Sequence, residues 1–123
     1  MSNIKRYSIE SPWADDFEVV VEIDHDLLTD ELLHQINNFW CEAEYRLDEC
    51  DGNVLYAVLG ILYRKVWWSL VGMGGDAHIE HMVEHFEKNL EGWPLMDGSS
   101  GIKFIKYDPI EFDHNPEIKE VAL

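Results

Sequence analysis

The three histidines His78, His81 and His85 come nearest to a chemical signature in this sequence. The run from His81 to His85 fits H-x-x-E-H, in which two histidines on one helical turn hold zinc and the glutamate acts as a base. The chemistry would be metal-assisted hydrolysis, which needs a further zinc ligand that the sequence does not indicate. The alternative is that the histidines line one border of an amphipathic helix. We favour that alternative and predict neither a metal nor another cofactor.

Acidic residues are the second chemical feature. The 123 residues include 25 acids against 9 bases, a net charge of -16, while 46% of residues are hydrophobic and 12% aromatic. A chain with this hydrophobic content is expected to fold, and the excess negative charge is then expected on its surface. That field repels nucleic acid and anionic membranes and attracts basic surfaces. We therefore expect a basic protein partner, such as a nucleic-acid-binding protein, with no direct nucleic-acid or membrane binding.

Two sets of acids are candidates for partner binding. A predicted strand over Phe17–Asp24 alternates apolar and acidic residues, which places Glu18 and Glu22 on its wet face. A predicted helix begins after the N-cap Thr29 and runs to about Asp51. Three glutamates fall within a narrow arc of that helix and span about 27 Å along its axis. They are Glu31, Glu42 and Glu49.

Trp93 is a further candidate, because it lies in a loop rich in Gly, Pro and Ser. An exposed tryptophan there would be a contact residue, since aromatic anchors dominate binding hot spots. The alternative, which we favour, is that Trp93 folds back and caps the core.

Other catalytic signatures are absent from the sequence. It contains no phosphate-binding loop with its lysine, no G-x-S-x-G elbow and no cysteine with an evident His–Asn partner. Cys41 and Cys50 are interpreted as core residues. We therefore expect a non-enzymatic protein.

These side chains must be positioned around one long apolar helix, predicted over Val54–Val71. Arg64 and Lys65 interrupt it, which argues against a membrane span and for a helix buried in a domain. Short strands are predicted at Ile4–Ile9 and Ile102–Tyr107, and an amphipathic helix at Ala77–Leu90.

The predicted element order is β-β-α-α-α-β. Segregated elements of this kind indicate an α+β class, with an antiparallel sheet of two or three strands packed against three helices. We expect one domain over residues 1–123, a frayed tail from about residue 110, and a cytoplasmic location. The neighbours Trp67 and Trp68 point about 100° apart on their helix, so covering both favours a homodimer.

The segments Asp24–Leu33 (DHDLLTDELL) and Gly92–Ile102 (GWPLMDGSSGI) resemble a family of unknown function from proteobacterial plasmids and phages. The resemblance covers roughly residues 17 to 108 and carries no catalytic residues. It implies cargo of mobile elements, in which small acidic proteins often act as DNA mimics or as inhibitors of host defence, including restriction and CRISPR components. A homo-oligomeric scaffold and a small metal-dependent enzyme using the histidine helix are the alternative hypotheses.

Overall fold

The computed structural model describes residues 3–11, 17–110 and 117–122. Its elements are three strands and four helices in the order β-β-α-α-α-α-β, counting each helix separately. They are β1 (Ile4–Glu10), β2 (Glu18–Asp24), α1 (Asp30–Phe39), α2 (Ala43–Glu49), α3 (Val54–Gly72), α4 (Ile79–Asn89) and β3 (Ile102–Tyr107). The predicted α+β class, with a small antiparallel sheet and helices packed against it, is confirmed.

The sheet has the order β1-β2-β3, with both pairings antiparallel and β2 in the middle. The alternation predicted for β2 is present, because Val19, Val21 and Ile23 are fully buried on the inner face. Strand β3 carries a bulge at Ile105, since Lys106 and Phe104 lie opposite the consecutive residues Val20 and Val21. The extra residue shifts the alternation, so Lys103 and Lys106 share the outer face although they are three positions apart.

Helix α3 forms the centre of the molecule. It begins where the Asn53 side chain accepts the backbone N–H of Tyr56 at 3.1 Å, and eleven of its nineteen residues are buried. Its length and composition would allow it to cross a membrane, but here it packs against α1, α2 and β1. The Tyr63 hydroxyl donates to the Phe17 carbonyl at 3.1 Å and ties α3 to the start of β2. The bounds of α3 match the sequence prediction to within one residue.

The single helix predicted from Thr29 to Asp51 is wrong, because the chain breaks into α1 and α2 at residues 40–42. Glu42 adopts left-handed backbone angles, φ 63° and ψ 36°, immediately before α2. That conformation costs a non-glycine residue about 1–2 kcal/mol, so it needs compensation from the surrounding structure. Arg46 supplies it by donating to three backbone carbonyls around the break, as described below.

The predicted fraying of the tail concerns residues from about 110 onward. The Ile110 backbone N–H still donates to the Gly75 carbonyl at 2.7 Å, so the chain is held at that point. Residues 111–116 lie outside the described residues, and residues 117–122 are exposed and form neither helix nor strand.

Candidate functional site

A large group of acids lies on α1, α2 and the turns that flank them. Residues 24–51 contain nine acids and one base, Arg46, a net charge of -8 and half of the total. Eight of the acids are exposed, and we call them the α1–α2 acidic surface. They are Asp26, Asp30, Glu31, Glu42, Glu44, Asp48, Glu49 and Asp51. None of them forms an ion pair within the part of the chain that the structure describes.

Arg46 forms no ion pair with any of these acids, because its guanidinium is bound to the end of α1. Its Nη2 donates to the Asn37 and Trp40 carbonyls at 2.8 and 3.3 Å, and its Nη1 to the Cys41 carbonyl at 2.7 Å. Its Nε donates to Oδ1 of the buried Asn37 at 2.8 Å. A cation is favourable there, since the C-terminal carbonyls of a helix carry partial negative charge. The one base in the segment is therefore used within the fold.

The three glutamates predicted to share one helical arc are divided between two helices. Glu31 lies in the first turn of α1, Glu42 at the break, and Glu49 at the end of α2. The single continuous arc is therefore wrong, because the helix that would have carried it is broken. All three side chains are nevertheless exposed and belong to the α1–α2 acidic surface.

The strand glutamates Glu18 and Glu22 differ from the helical acids because basic side chains pair with them. Glu22 accepts from Arg6 Nε of β1 at 2.8 Å, and Glu18 lies 3.4 Å from Lys106 Nζ of β3. A hydrogen bond from Ser8 and the proximity of Lys106 lower the pKa of Glu18. Cross-strand partners thus neutralise both acids, and the β2 face is a weaker candidate for a basic partner than the helices.

Trp93 is half-buried and packs its ring edge-on against Phe86, with centroids 5.6 Å apart. Its indole nitrogen is buried and has no hydrogen-bond partner among the described residues. These contacts favour the interpretation that Trp93 caps the core. The same residue also lines a groove, so capping and binding are compatible.

This groove separates α1 from the loop at residues 92–100 and has a volume of about 320 Å³. Leu28, Leu32 and Phe39 line one wall, and Trp93 and Pro94 line the other. The sequence did not predict the groove, because its walls come from segments about 60 residues apart. The one sequence feature that could have indicated the groove is Gly92, the residue before Trp93. A Cβ on Gly92 would lie 2.6 Å from the Phe39 ring, so only glycine allows the loop to approach α1 this closely.

The histidines lie on or next to α4. His78 occupies the N-cap position, and its ring centroid lies 5.8 Å from that of His81, while His85 Nδ1 is 3.3 Å from the Asn89 amide. No group of three or more His, Cys, Asp or Glu side chains that could hold a metal occurs in residues 3–11, 17–110 and 117–122. The H-x-x-E-H match therefore gains no companion ligand in the described part of the chain.

Comparison with known proteins gives relatives of phage origin. The chain is 46% identical over 112 residues to Protein ea10 of Escherichia phage lambda, an alignment that covers 88% of each chain. It shows the same identity and coverage with the Lambda prophage-derived protein ea10 of Escherichia coli O6:H1. No solved structure matches it. The family described as Protein of unknown function (DUF2528) matches residues 18–118, and the chain belongs to that family.

Proposed function

We propose that this protein is a non-enzymatic binding protein whose α1–α2 acidic surface engages a basic surface of a host nucleic-acid-binding protein. One observation carries the proposal: eight exposed carboxylates lie within 26 consecutive residues, and no described basic side chain forms an ion pair with them. The phage origin of the relatives supports the class of partner, since host proteins that handle nucleic acid act on phage genomes.

The charge distribution favours a partner surface that normally meets phosphates. Like charges held close together repel one another, and a row of lysines or arginines on a partner would relieve that repulsion on binding. Exposed charges of this kind interact over a Debye length of about 8 Å at physiological salt, so the attraction should weaken steeply as salt rises. A basic groove occupied by these carboxylates would be closed to DNA, which makes mimicry of nucleic acid the specific mode we propose.

The test is capture of partners from a lysate of Escherichia coli, the host of the relatives, at about 50 mM and about 500 mM salt. We expect the tagged protein to retain nucleic-acid-binding proteins at low salt only, and added duplex DNA to displace them. The triple variant Glu31→Gln, Glu42→Gln and Glu49→Gln should fold normally, because the side chains are exposed, and should lose most of this binding.

A matched control removes the same charge elsewhere, by changing Glu80, Glu87 and Glu120 to Gln. These three are exposed and take part in no ion pair within the described chain. If the control triple loses binding as fully as the α1–α2 triple, net charge alone is responsible and the assigned surface is wrong. Capture that resists both salt and DNA would contradict nucleic-acid mimicry.

A homodimer is a second proposal, and exposed aromatics on the otherwise buried α3 favour it. Trp68 is 66% exposed and Tyr56 is 55% exposed. They lie twelve residues apart and so point about 120° apart on α3, which makes Trp68 the contact residue of this proposal. Light scattering at micromolar concentration tests it: we expect twice the monomer mass, and a monomer for Trp68→Glu. A wild-type monomer would contradict the proposal.

A further inference from the structure

We infer that the groove between α1 and the loop at residues 92–100 seats a large apolar side chain of the partner, carried on a basic segment whose flanking cations contact the neighbouring acids. This inference rests on the proposed function and adds to it. It assigns the anchor point and the chemistry of the partner's contacting segment, which the acidic surface alone leaves open.

The walls of the groove are apolar and incompletely covered. Phe39 is 50% exposed and Leu32 is 38% exposed, although both line the groove and lie on the side of α1 that faces the loop. The volume of about 320 Å³ is at the small end of the range for ligand pockets, which suits one or two side chains and not a cofactor. Apolar side chains that enter such a pocket act as anchors in protein interfaces.

The charge around the groove indicates which residues should flank the apolar side chain of the partner. Residues 24–45, which supply one wall, contain six acids and no lysine or arginine. Residues 89–102, which supply the other wall, contain Glu91 and Asp97 and likewise no lysine or arginine. Hydrogen bonds from Ser99 lower the pKa of Asp97, so its exposed carboxylate is ionised at neutral pH. Lys103 lies beside Asp97 at the far edge of the loop, yet acids outnumber bases on both walls, and this excess of negative charge complements a basic segment.

The groove is also held open by fixed backbone geometry. Gly101 has φ 101°, and a Cβ there would lie 2.6 Å from the Leu28 backbone nitrogen, so this end of the loop packs directly on the chain before α1. The Asp24 N–H donates to the Gly101 carbonyl at 2.8 Å. The two walls are thus joined at one end by backbone contacts.

Charge disfavours two other occupants. The chain's own residues 117–122 expose Ile118 and Val121, but they carry two acids and one lysine and would meet walls of like charge. A second copy of the chain brings a further net charge of -16. A basic segment of a different protein is the occupant that both the apolar walls and the acidic border fit.

The test uses synthetic heptapeptides labelled with a fluorophore, and the full-length protein. The first peptide has a central tryptophan between two runs of three lysines, the second replaces the tryptophan by serine, and the third replaces the lysines by glutamates. Fluorescence anisotropy measures their affinities. We expect the tryptophan–lysine peptide to bind about ten-fold more tightly than the serine peptide, as an anchor residue would require, and the glutamate peptide not to bind.

Two protein variants address the groove. Leu32→Gln makes one wall polar, and Gln35→Trp, at an exposed lining position, fills the space. Each should lower the affinity of the tryptophan–lysine peptide to that of the serine peptide. Ile118→Gln, at a position that is 90% exposed and outside the groove, is the control and should change nothing. Thermal unfolding of each variant checks the fold, and Gln35→Trp keeps the test informative if Leu32→Gln unfolds.

The outcomes separate the two proposals. If the serine peptide binds as tightly as the tryptophan peptide, or the groove variants bind normally, the groove inference is overturned while the acidic surface stands. If the triple variant of Glu31, Glu42 and Glu49 binds both lysine peptides as wild type does, the proposed function fails. Loss of self-association in Leu32→Gln, without loss of peptide binding, would make a second copy the occupant and overturn the inference.

Discussion

Replacing Arg46 by Ala should destabilise the fold far more than its position on a surface helix would suggest. Its guanidinium makes four hydrogen bonds around the break between α1 and α2. Two of the acceptors, Oδ1 and the carbonyl of Asn37, belong to a residue that is 1% exposed, so water cannot replace the lost donor without opening the structure. The carbonyl keeps only a longer bond from the Trp40 backbone N–H, at 3.4 Å. The carbonyls of Trp40 and Cys41 are more accessible and can be rehydrated.

The magnitude follows from the two buried acceptors. A buried polar group left without its partner costs about 1–3 kcal/mol. Asn37 Oδ1 loses its Arg46 donor entirely, whereas the carbonyl keeps the Trp40 N–H and loses less, so the sum is about 2–4 kcal/mol. A chain of this length has an unfolding entropy of about 2.1 cal/mol/K per residue, which converts that loss to a decrease in Tm of roughly 8–15 °C. Thermal unfolding followed by circular dichroism measures it.

The matched control is Arg64→Ala, which removes the same charge from an exposed position on α3 that has no described hydrogen bond or ion pair. It corrects for the general cost of removing a base from a protein of net charge -16. Arg46→Lys should recover only part of the stability, because one ammonium cannot reach four acceptors arranged for a planar guanidinium. If Arg46→Ala and Arg64→Ala unfold within about 2 °C of each other, the bonds of Arg46 do not stabilise the break.

Two further changes test the geometry around the groove and α4. Gly101→Ala should cost at least about 2 kcal/mol in urea unfolding, because it adds strain at positive φ and a clash with the Leu28 backbone. Gly74→Ala, at φ 84° with no atom within 4 Å of the added Cβ, carries the strain alone, and an equal cost for the two variants would contradict the close packing at Gly101. Tyr107 donates to the Ala77 carbonyl at 2.7 Å, and burial, with a smaller contribution from Asp76, raises the pKa of its hydroxyl to about 12. A raised pKa gives a contribution to stability that is complete below the unfolded value near 10 and is lost as pH rises through the folded value. Wild type should therefore lose stability more steeply than Tyr107→Phe between about pH 10 and 12, and equal slopes would refute the assignment.

The elements that the sequence predicts well are those whose signal is contained in a single segment. The alternation of Val19, Val21 and Ile23 with acids predicts β2, and a long run of apolar residues predicts α3, since each pattern reports burial directly. The break after Phe39 has no such signal. Residues 37–43 contain neither glycine nor proline, and the carbonyls at the end of α1 are bound by Arg46 of the next helix, a contact that forms only once the chain has turned.

The same distinction applies to the candidate site. From one strand, Glu18 and Glu22 are indistinguishable from the helical acids, because the sequence of β2 does not show which residues lie beside it. The antiparallel register pairs Arg6 with Glu22, and the bulge at Ile105 turns Lys106 toward Glu18. A bulge is a property of two strands together. Exposure of acids could therefore be predicted from the sequence, whereas their neutralisation could not.

The positions of the basic residues help to decide whether the net negative charge has a role in binding as well as in solubility. Six of the nine basic residues interact with other side chains or with the backbone. Four of them form ion pairs, on the sheet, on α4 and in the tail. Arg46 binds the end of α1, and the Lys65 ammonium lies 4.0 Å from the Trp40 ring centroid. Solubility requires net charge but no particular arrangement of it. The ion-paired acids of the described chain all lie outside residues 24–51, and the eight exposed acids inside that segment are unpaired. The paired acids are Glu18, Glu22, Glu84 and Glu117. Unpaired acids also occur elsewhere, as at Glu80 and Glu87, so what distinguishes the α1–α2 acidic surface is the clustering of eight of them within 26 residues. Such a cluster favours the proposed binding of a basic partner, because no internal ion pair has to be broken before the partner binds.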